Sequence, residues 1–434
     1  MASFFIPLTG LESDSTALNT IANDLSNMNT TAFKAQNTDF TNLFYQQIGS
    51  TGSGDPIQVG AGVQVASNET DYTQGSINST GNATDAALNG NGFFVISNGA
   101  GGYEYTRAGD FTQDTNGNLV TSNGLSVMGY PAVNGVVNTN APLTAINIPV
   151  GQVQEPQATT SLSMTANLDS ASATGTQFPA EVTVYDSLGE PHTVTINYQQ
   201  TSTNTWSYSV SLPAADYSTA GADVVPSPIT GTLTFDANGN LATVAQGAGA
   251  AQTVGTAAGD VSSIALDLNP AGSPLADGAN SLSINWNLLN SSGTPTVSQV
   301  DTASAVSSAD ANGYPSGQYE GFTIGSNGTV TVTYKNGQQQ NVGQLALANI
   351  TNLQGLQLLG DGDYATTLAS GTAAVGASGT AGLGTLQDGA LEASNVNISS
   401  EFSDLIIAQR AFEANAKSVT TFDTVTQDTI NMVH

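Results

Sequence analysis

Two apolar stripes, one at each end of the chain and neither able to bury itself, constrain this sequence more than any other feature. Near the N-terminus Leu11, Leu18, Ile21, Leu25 and Met28 fill five of six positions spaced alternately by three and four residues, with Asp14 the exception. That spacing is a short coiled-coil seam. Near the C-terminus Ile398, Phe402, Leu405, Gln409, Phe412, Ala416, Val419, Asp423, Thr426, Ile430 and Val433 form a second seam, apolar at eight of eleven positions. Helices this isolated are marginal in water, so the two segments are expected to pack on each other or on neighbouring copies of the chain. Two ordinary amphipathic helices docking on one globular core is the alternative.

Local signals predict where the helices begin. Thr9-Gly-Leu-Glu12 has the form of a capping box, with Thr9 capping and Glu12 bonding back. Ser399 or Ser400 is expected to cap the second helix, whose first turn carries Glu401. A helix from about residue 399 to 433 would be on the order of 50 Å long, with Glu413 and Lys417 as a favourable i,i+4 pair.

Between the seams the period changes from helical to twofold. Trp206, Tyr208, Val210 and Leu212 alternate with polar residues, as do Leu282, Ile284, Trp286 and Leu288, and Val330, Val332 and Tyr334. Asn116-Gly117, Asn238-Gly239 and Asn336-Gly337 supply hairpin turns. The expected fold class is therefore α+β, with paired, coiled-coil-like terminal α-helices and nested, mainly β domains in the middle. The expected divisions are 1–30 (first helix), 31–74 (extended or hairpin connector), 75–150 (first half of an inner β domain), 151–302 (inserted outer β domain), 303–364 (second half of the inner β domain), 365–397 (connector) and 398–434 (last helix). The exit from the inserted domain is placed in residues 291–302, and the Gly/Ala/Ser/Thr stretch 370–385 reads as an extended connector.

Composition narrows the partners. A net charge of −29 arises from 34 acids against five bases, Lys34, Arg107, Lys335, Arg410 and Lys417, which do not cluster. Neutralising phosphates takes a local group of Lys or Arg, so no nucleic-acid partner is expected. No stretch is long and apolar enough to insert in a membrane, and the N-terminus lacks the basic region of a cleavable secretory signal. The absence of cysteine rules out disulfides and thiolate metal sites.

No catalytic, cofactor-binding or metal-ligating constellation stands out. His192, in Gly189-Glu-Pro-His-Thr-Val, reads as a turn-flanking residue, and His434 is the other histidine. A hydrolase would have to recruit one of them. Asp114-Thr-Asn-Gly-Asn and Asp236-Ala-Asn-Gly-Asn fail the calcium-loop pattern at its sixth and twelfth positions and read as hairpin turns. Leu88-Asn-Gly-Asn-Gly-Phe-Phe lacks the third glycine of a dinucleotide fingerprint and reads as a tight turn into a buried strand. Asp361-Gly-Asp363 reads as a solvated turn.

The ends resemble the flagellar axial family of rod, hook and hook-associated proteins. Ile21-Ala-Asn-Asp-Leu-Ser-Asn-Met-Asn-Thr-Thr-Ala-Phe-Lys is similar to the family's N-terminal signature, with Asn23, Asn27, Phe33 and Lys34 at its matching positions and Ala32 where glycine is usual. Gly389-Ala-Leu-Glu-Ala-Ser-Asn-Val and Leu405-Ile-Ile-Ala-Gln-Arg-Ala-Phe-Glu-Ala-Asn-Ala-Lys resemble its C-terminal blocks, which single out Gly389, Leu391, Glu392, Ser394, Asn395, Gln409, Arg410 and Asn415. Gly92-Phe-Phe-Val-Ile and Tyr105-Thr-Arg-Ala-Gly-Asp-Phe resemble the β domain shared by rod and hook subunits, and Val184-Tyr-Asp-Ser-Leu-Gly-Glu-Pro-His resembles a block of the hook type's inserted domain.

The resemblance implies a non-enzymatic subunit, without cofactor, of the extracellular hook, exported by the flagellar type III route. It implies a homopolymer whose helices line an export channel. It also implies distal rod protein, hook–filament junction protein, hook cap and export apparatus as partners. A distal rod or hook-associated protein, or a surface-layer or adhesin-type β protein, are the alternatives.

Overall fold

The computed structural model describes residues 5–50, 52–218 and 224–432. It divides into two compact units: Met1–Val150, Glu320–Thr333 and Gln339–His434 form one, and Gly151–Tyr319 with Tyr334–Gln338 form the other. The second unit is thus inserted in the first, and helices stand at both ends of a mostly β chain.

In the first unit, helix α1 spans Phe5–Ser26 and helix α2 spans Ile398–Asn431. Neither begins as the local signals predict. Thr9 lies inside α1 and its hydroxyl donates back to Ile6 O at 2.8 Å, so it caps nothing; Pro7, with no N–H to satisfy, suits the first turn. The α2 cap is Asn397, whose side-chain oxygen accepts from Ser399 N and Ser400 N. Glu413 is 3.2 Å from Arg410 rather than paired with Lys417.

The β body of this unit is built around the strand Gln339–Asn349. It pairs with Phe93–Ser97 (Leu347 opposite Phe94) and with Thr329–Tyr334 (Val330 opposite Gly343). Val330, Val332 and Tyr334 are all buried, as their alternation predicts. Gly90 and Gly92 take φ of 101° and 123°, a conformation open to glycine, and turn the chain into the buried run Phe93–Ile96. Within the extended connector 370–385, Ala374–Ala377 adds to Gln339–Asn349 and the adjoining Thr385–Asp388 pairs with Ala86–Asn89. One expectation fails here, that of a solvated turn at Asp361-Gly-Asp363. Asp363 is buried and accepts from Asn123 Nδ2 at 2.6 Å, and burial pushes its carboxyl up.

The inserted unit contains two sheets. One is a six-stranded antiparallel meander running from Gln177–Tyr185 through Pro191–Ser202, Thr205–Ser211, Ile229–Phe235 and Leu241–Gln246 to Gln252–Thr253. The other is centred on Ser161–Asp169 and includes Ser263–Asp267, Ser283–Asn287, Val297–Val300 and Ala305–Ala311. Because Ala305–Ala311 pairs with Ser161–Asp169, this unit runs on to Tyr319, beyond the exit expected at 291–302. The alternating residues Trp206, Tyr208, Val210 and Leu212 of the meander face Leu282, Ile284, Trp286 and Leu288 in one core. Tyr208 meets Trp286 edge-on with ring centroids 5.5 Å apart, a favoured aromatic geometry. The turns at Asp114 and Asp236 share one device: Oδ1 of each aspartate accepts the amides two and four residues on. The carboxylates that resemble calcium ligands therefore hold hairpins.

Candidate assembly surface and the junction that holds it

Helices α1 and α2 pack on each other, with Ala408 buried and the seam residues Leu11, Leu18, Ile21, Leu25, Leu405 and Val419 half-buried. The buried face of α1 is Pro7, Gly10, Ser13, Ala17, Thr20 and Asp24, at three- and four-residue spacing. At Gly10 a Cβ would lie 2.6 Å from Asn415 Nδ2, so a larger residue there would displace the Asn415 side chain, whose Nδ2 donates to Asp14 Oδ2 at 2.8 Å. The same buried face of α1 also meets the hairpin of Gln36–Asn42 and Val63–Thr70: Thr38 bonds Thr20, and Gln36 N donates to Asp24 Oδ2 at 2.7 Å.

This packing covers the seams only in part. Leu11, Leu18, Ile21 and Leu25 are half-buried and Met28 is exposed. On α2, Leu405 and Val419 are half-buried, while Phe402 (52%), Phe412 and Ile430 are exposed; Val433, like His434, lies outside the described residues. Ile406 and Ile407 (66%) are also exposed, beside the predicted stripe. So are Phe44 (94%) and Tyr45, and Ile48 and Ile57 on the short hairpin of Gln46–Ser50 and Pro56–Val59. A single-seam pattern misses Ile406 and Ile407 because they fall off the 3.5-residue repeat; their being large and apolar in a polar helix was the available signal.

The motif residues of both ends meet at one buried junction. Lys34 Nζ donates to Glu392 Oε1 at 2.5 Å and to Thr73 O at 2.7 Å. Arg107 Nε lies 3.4 Å from Glu392 Oε2, and its NH1 donates to Gly90 O and Gly92 O. Gly75 N also donates to Glu392 Oε1, at 2.9 Å. All three charged side chains are at least nine-tenths buried, and burial lowers the pKa of both Lys34 and Arg107. Two of the chain's five bases are therefore spent inside the fold.

Around this trio, Asn395 accepts from Ala35 N and donates to Asp71 O, and Ala32 N donates to Glu392 O at 2.8 Å. Phe33 is half-buried and its carbonyl accepts Asn395 N. Gly389 O accepts the amides of Thr80 and Gly81, Leu391 sits opposite Asn78 in the strand Ala390–Glu392, and Ser394 Oγ accepts Val396 N. Ala32 stands at φ +56°, the left-handed region in which glycine is at ease. The other motif residues lie elsewhere. Asn23 and Asn27 bond each other one turn apart near the end of α1, and Gln409 and Arg410 are exposed on α2.

A groove between α1, α2 and the adjoining hairpin is lined by Asp14, Asp39, Glu69, Asp71, Glu401 and Asp404, with no Lys or Arg. Beside it Asp24 is fully buried; burial raises its pKa, and its Oδ1 has no hydrogen-bond partner. Glu401 is raised by burial and by the nearby Asp24 and Asp404. In the inserted unit His192 is buried rather than merely flanking a turn, and the side chains it bonds are carboxylates, Asp216 and Asp186. Among the described residues no nucleophilic hydroxyl shares those contacts. No helix among the described residues is long and apolar enough to cross a membrane.

Cross-tied terminal helices that leave apolar side chains open, with a separate β unit inserted between them, define a structural subunit of the flagellar axial class. Three family models match: the flagellar basal body protein FlaE D2 domain over residues 156–314, the flagellar hook protein FlgE/F/G D1 domain over 87–167, and the flagellar basal body rod FlgEFG protein C-terminal region over 387–432. Flagellar hook protein FlgE of Treponema pallidum is 32% identical over 473 residues, covering 100% of this chain and 99% of that protein. The FlgE proteins of Salmonella typhimurium and Escherichia coli are each 32% identical over 447 residues, covering 99% of this chain and 100% of theirs. The chain belongs to the flagellar hook protein FlgE family and is a structural subunit of the hook. Its fold resembles that of Helicobacter pylori flagellar hook protein FlgE2, with a TM-score of 0.52 at 14% identity over 71% of this chain and 99% of that one.

Proposed function

We propose that copies of this chain polymerise through α1 and α2 into a tube, forming a flexible joint that carries torque from rod to filament. The observation that carries this reading is the number of exposed apolar side chains along α2, among them Phe402, Ile406, Ile407 and Ile430, in a helix already paired with α1. Such surface is removed from water when a second copy packs against it. The assembly residues are then Leu11, Leu18, Ile21, Leu25, Met28, Phe402, Leu405, Phe412, Val419, Ile430 and Val433. Contacts between inserted units are polar and sparsely charged, since only 9% of residues are charged, so copies slide without breaking many ion pairs. The chain works outside the cell, reached by the flagellar export route, and performs no catalysis. Its partners besides itself are the distal rod protein, the hook–filament junction protein, the cap and the export apparatus, with no nucleic acid and no membrane insertion.

The test is polymerisation of purified chain, followed by sedimentation and negative-stain electron microscopy. Phe402→Ser and Ile430→Ser, separately and together, are expected to abolish tubes while leaving the monomer's circular dichroism unchanged. Tubes of normal diameter from the double variant would overturn the proposal.

A further inference from the structure

At one end of the inserted unit three loops bring together four side chains that no local pattern joins. His192 opens the strand Pro191–Ser202; Asp186 lies in the turn before it; Asp216 ends the short 3-10 turn Ala214–Asp216; Asp277 lies in the loop between Ser263–Asp267 and Ser283–Asn287. His192 Nε2 is 3.4 Å from Asp186 Oδ2 and 4.0 Å from Asp277 Oδ2, and all three atoms lie within 4.8 Å of one another. Donor atoms on a tetrahedral divalent ion with bonds of about 2.0–2.1 Å stand roughly 3.4 Å apart. The His192–Asp186 pair already has that spacing, and Asp277 Oδ2, 4.0 Å from Nε2, reaches it by drawing in a little.

The remaining atoms of each group are held in place. Asp186 Oδ1 accepts Leu188 N at 2.8 Å and Glu190 N at 2.9 Å, which turns its Oδ2 toward the histidine. Asp277 carries the same device, with Ala279 N donating to its Oδ1 at 3.0 Å. His192 Nδ1 faces Asp216 Oδ2 at 2.9 Å and Nε2 faces Asp186 Oδ2 at 3.4 Å, so an ion would take Nε2 by displacing the proton shared with Asp186 while Nδ1–H stays on Asp216. A carboxylate behind a ligating imidazole is the support that metal-bound histidines use. The loops themselves are tied, since Ala276 N donates to Asp216 O and Asn280 N to Ser187 Oγ. Asp186 and His192 are buried, and Asp277, the most exposed of the ligands, faces solvent and opens a way in.

We propose that Asp186 Oδ2, His192 Nε2 and Asp277 Oδ2 form a binding site for one divalent transition-metal ion, with Asp216 orienting the imidazole and water completing the coordination. One imidazole with two carboxylates suits Zn2+ over Ca2+ or Mg2+, which prefer larger all-oxygen sets. Bound there, the ion clamps three loops at one end of the unit. Sequence spacing gives no such ligand set, because Asp277 and Asp216 come from loops far along the chain from His192.

The test titrates the full chain with Zn2+ by calorimetry, with Ca2+ as the comparison. Saturable binding of one Zn2+ per chain is expected, much tighter than Ca2+, weakened at least tenfold in His192→Gln and in Asp277→Asn. Asp216→Asn is expected to lose about 10–100-fold, the usual cost of removing such a partner. Trp206 and Trp286 fluorescence verifies that each variant is folded. Should a variant unfold, side-chain NMR of the parent decides. His192 is one of only two histidines, and its ring signals should shift on adding one equivalent of Zn2+. No saturable binding, equal affinity for Ca2+, affinity within twofold in both ligand variants, or an unmoved His192 signal would each overturn the site.

Discussion

Lys34 and Glu392 stand 2.5 Å apart, although 358 residues separate them in the chain. Arg107, from the β body, approaches the same carboxylate, so one buried glutamate joins the segment after α1, the body, and the segment before α2. A buried anion between two buried cations is costly to assemble but far costlier to break, since removing one partner leaves uncompensated charge.

Glu392→Gln is accordingly expected to destabilise the helix-bearing unit by about 3–5 kcal/mol. Urea titration followed by helical circular dichroism measures this. Trp206 and Trp286, the only tryptophans, lie in the inserted unit and give an internal reference whose midpoint should stay put. An unmoved helical midpoint would show that the glutamate does not hold the junction.

Ala32 tests the backbone beside it. At φ +56° with its N–H fixed on Glu392 O, the residue cannot relax to a right-handed conformation without losing that bond. Ala32→Val should destabilise by more than about 2 kcal/mol, because a β-branched side chain strongly disfavours this region. Ala32→Gly should stay within about 1 kcal/mol of the parent, its relief of strain offset by a lost buried methyl and a freer unfolded chain. Equal stability of the valine and glycine variants would refute the assignment.

The acidic groove predicts an unusual pH dependence. Asp24 and Glu401 have folded-state pKa values above their unfolded ones, so the folded chain binds more protons across that interval and stability falls as pH rises. Their contribution is complete below the ordinary carboxylate pKa of about 4 and is lost as pH passes through the raised folded values. Helical denaturation midpoints measured from pH 4 to pH 7 should therefore decline more steeply in the parent than in Asp24→Asn. Identical slopes would sink the prediction.

Assembled tubes should respond to salt. Stacking subunits of charge −29 costs repulsion that screening relieves, the Debye length shrinking from about 30 Å at 0.01 M to about 10 Å at 0.1 M. The critical concentration for polymerisation is expected to fall over that range. A rise would mean that specific ion pairs dominate the contacts.

The sheets were legible in the sequence because a half-buried strand writes its burial as alternation. Trp206, Tyr208 and Val210 announce an inward face without reference to anything distant. The pairing of α1 with α2 was legible in the seams, but its closest approach was not, because hydrophobic patterning attends to Leu11, Leu18 and Ile21 whereas Asn415 of α2 meets Gly10 and Asp14. The helix starts misled for a related reason: Thr9 and Ser399 are good cap types, but Pro7 and Asn397 beside them answer the same need. Resemblance flagged Lys34 and Glu392 separately, and only the fold makes them one site with Arg107. His192 read as a bystander because its carboxylates come from three different loops.

The chain distance between Lys34 and Glu392 also sets an order of events. A chain emerging from a narrow conduit with its N-terminus leading presents Lys34 long before Glu392 arrives to receive it. The inserted unit, drawn from a nearly continuous stretch, can close on itself meanwhile, since its contacts are comparatively local. In a chain threaded that way, the helix-bearing unit would stay open until residue 392 is out, and the meeting of its two ends would come last.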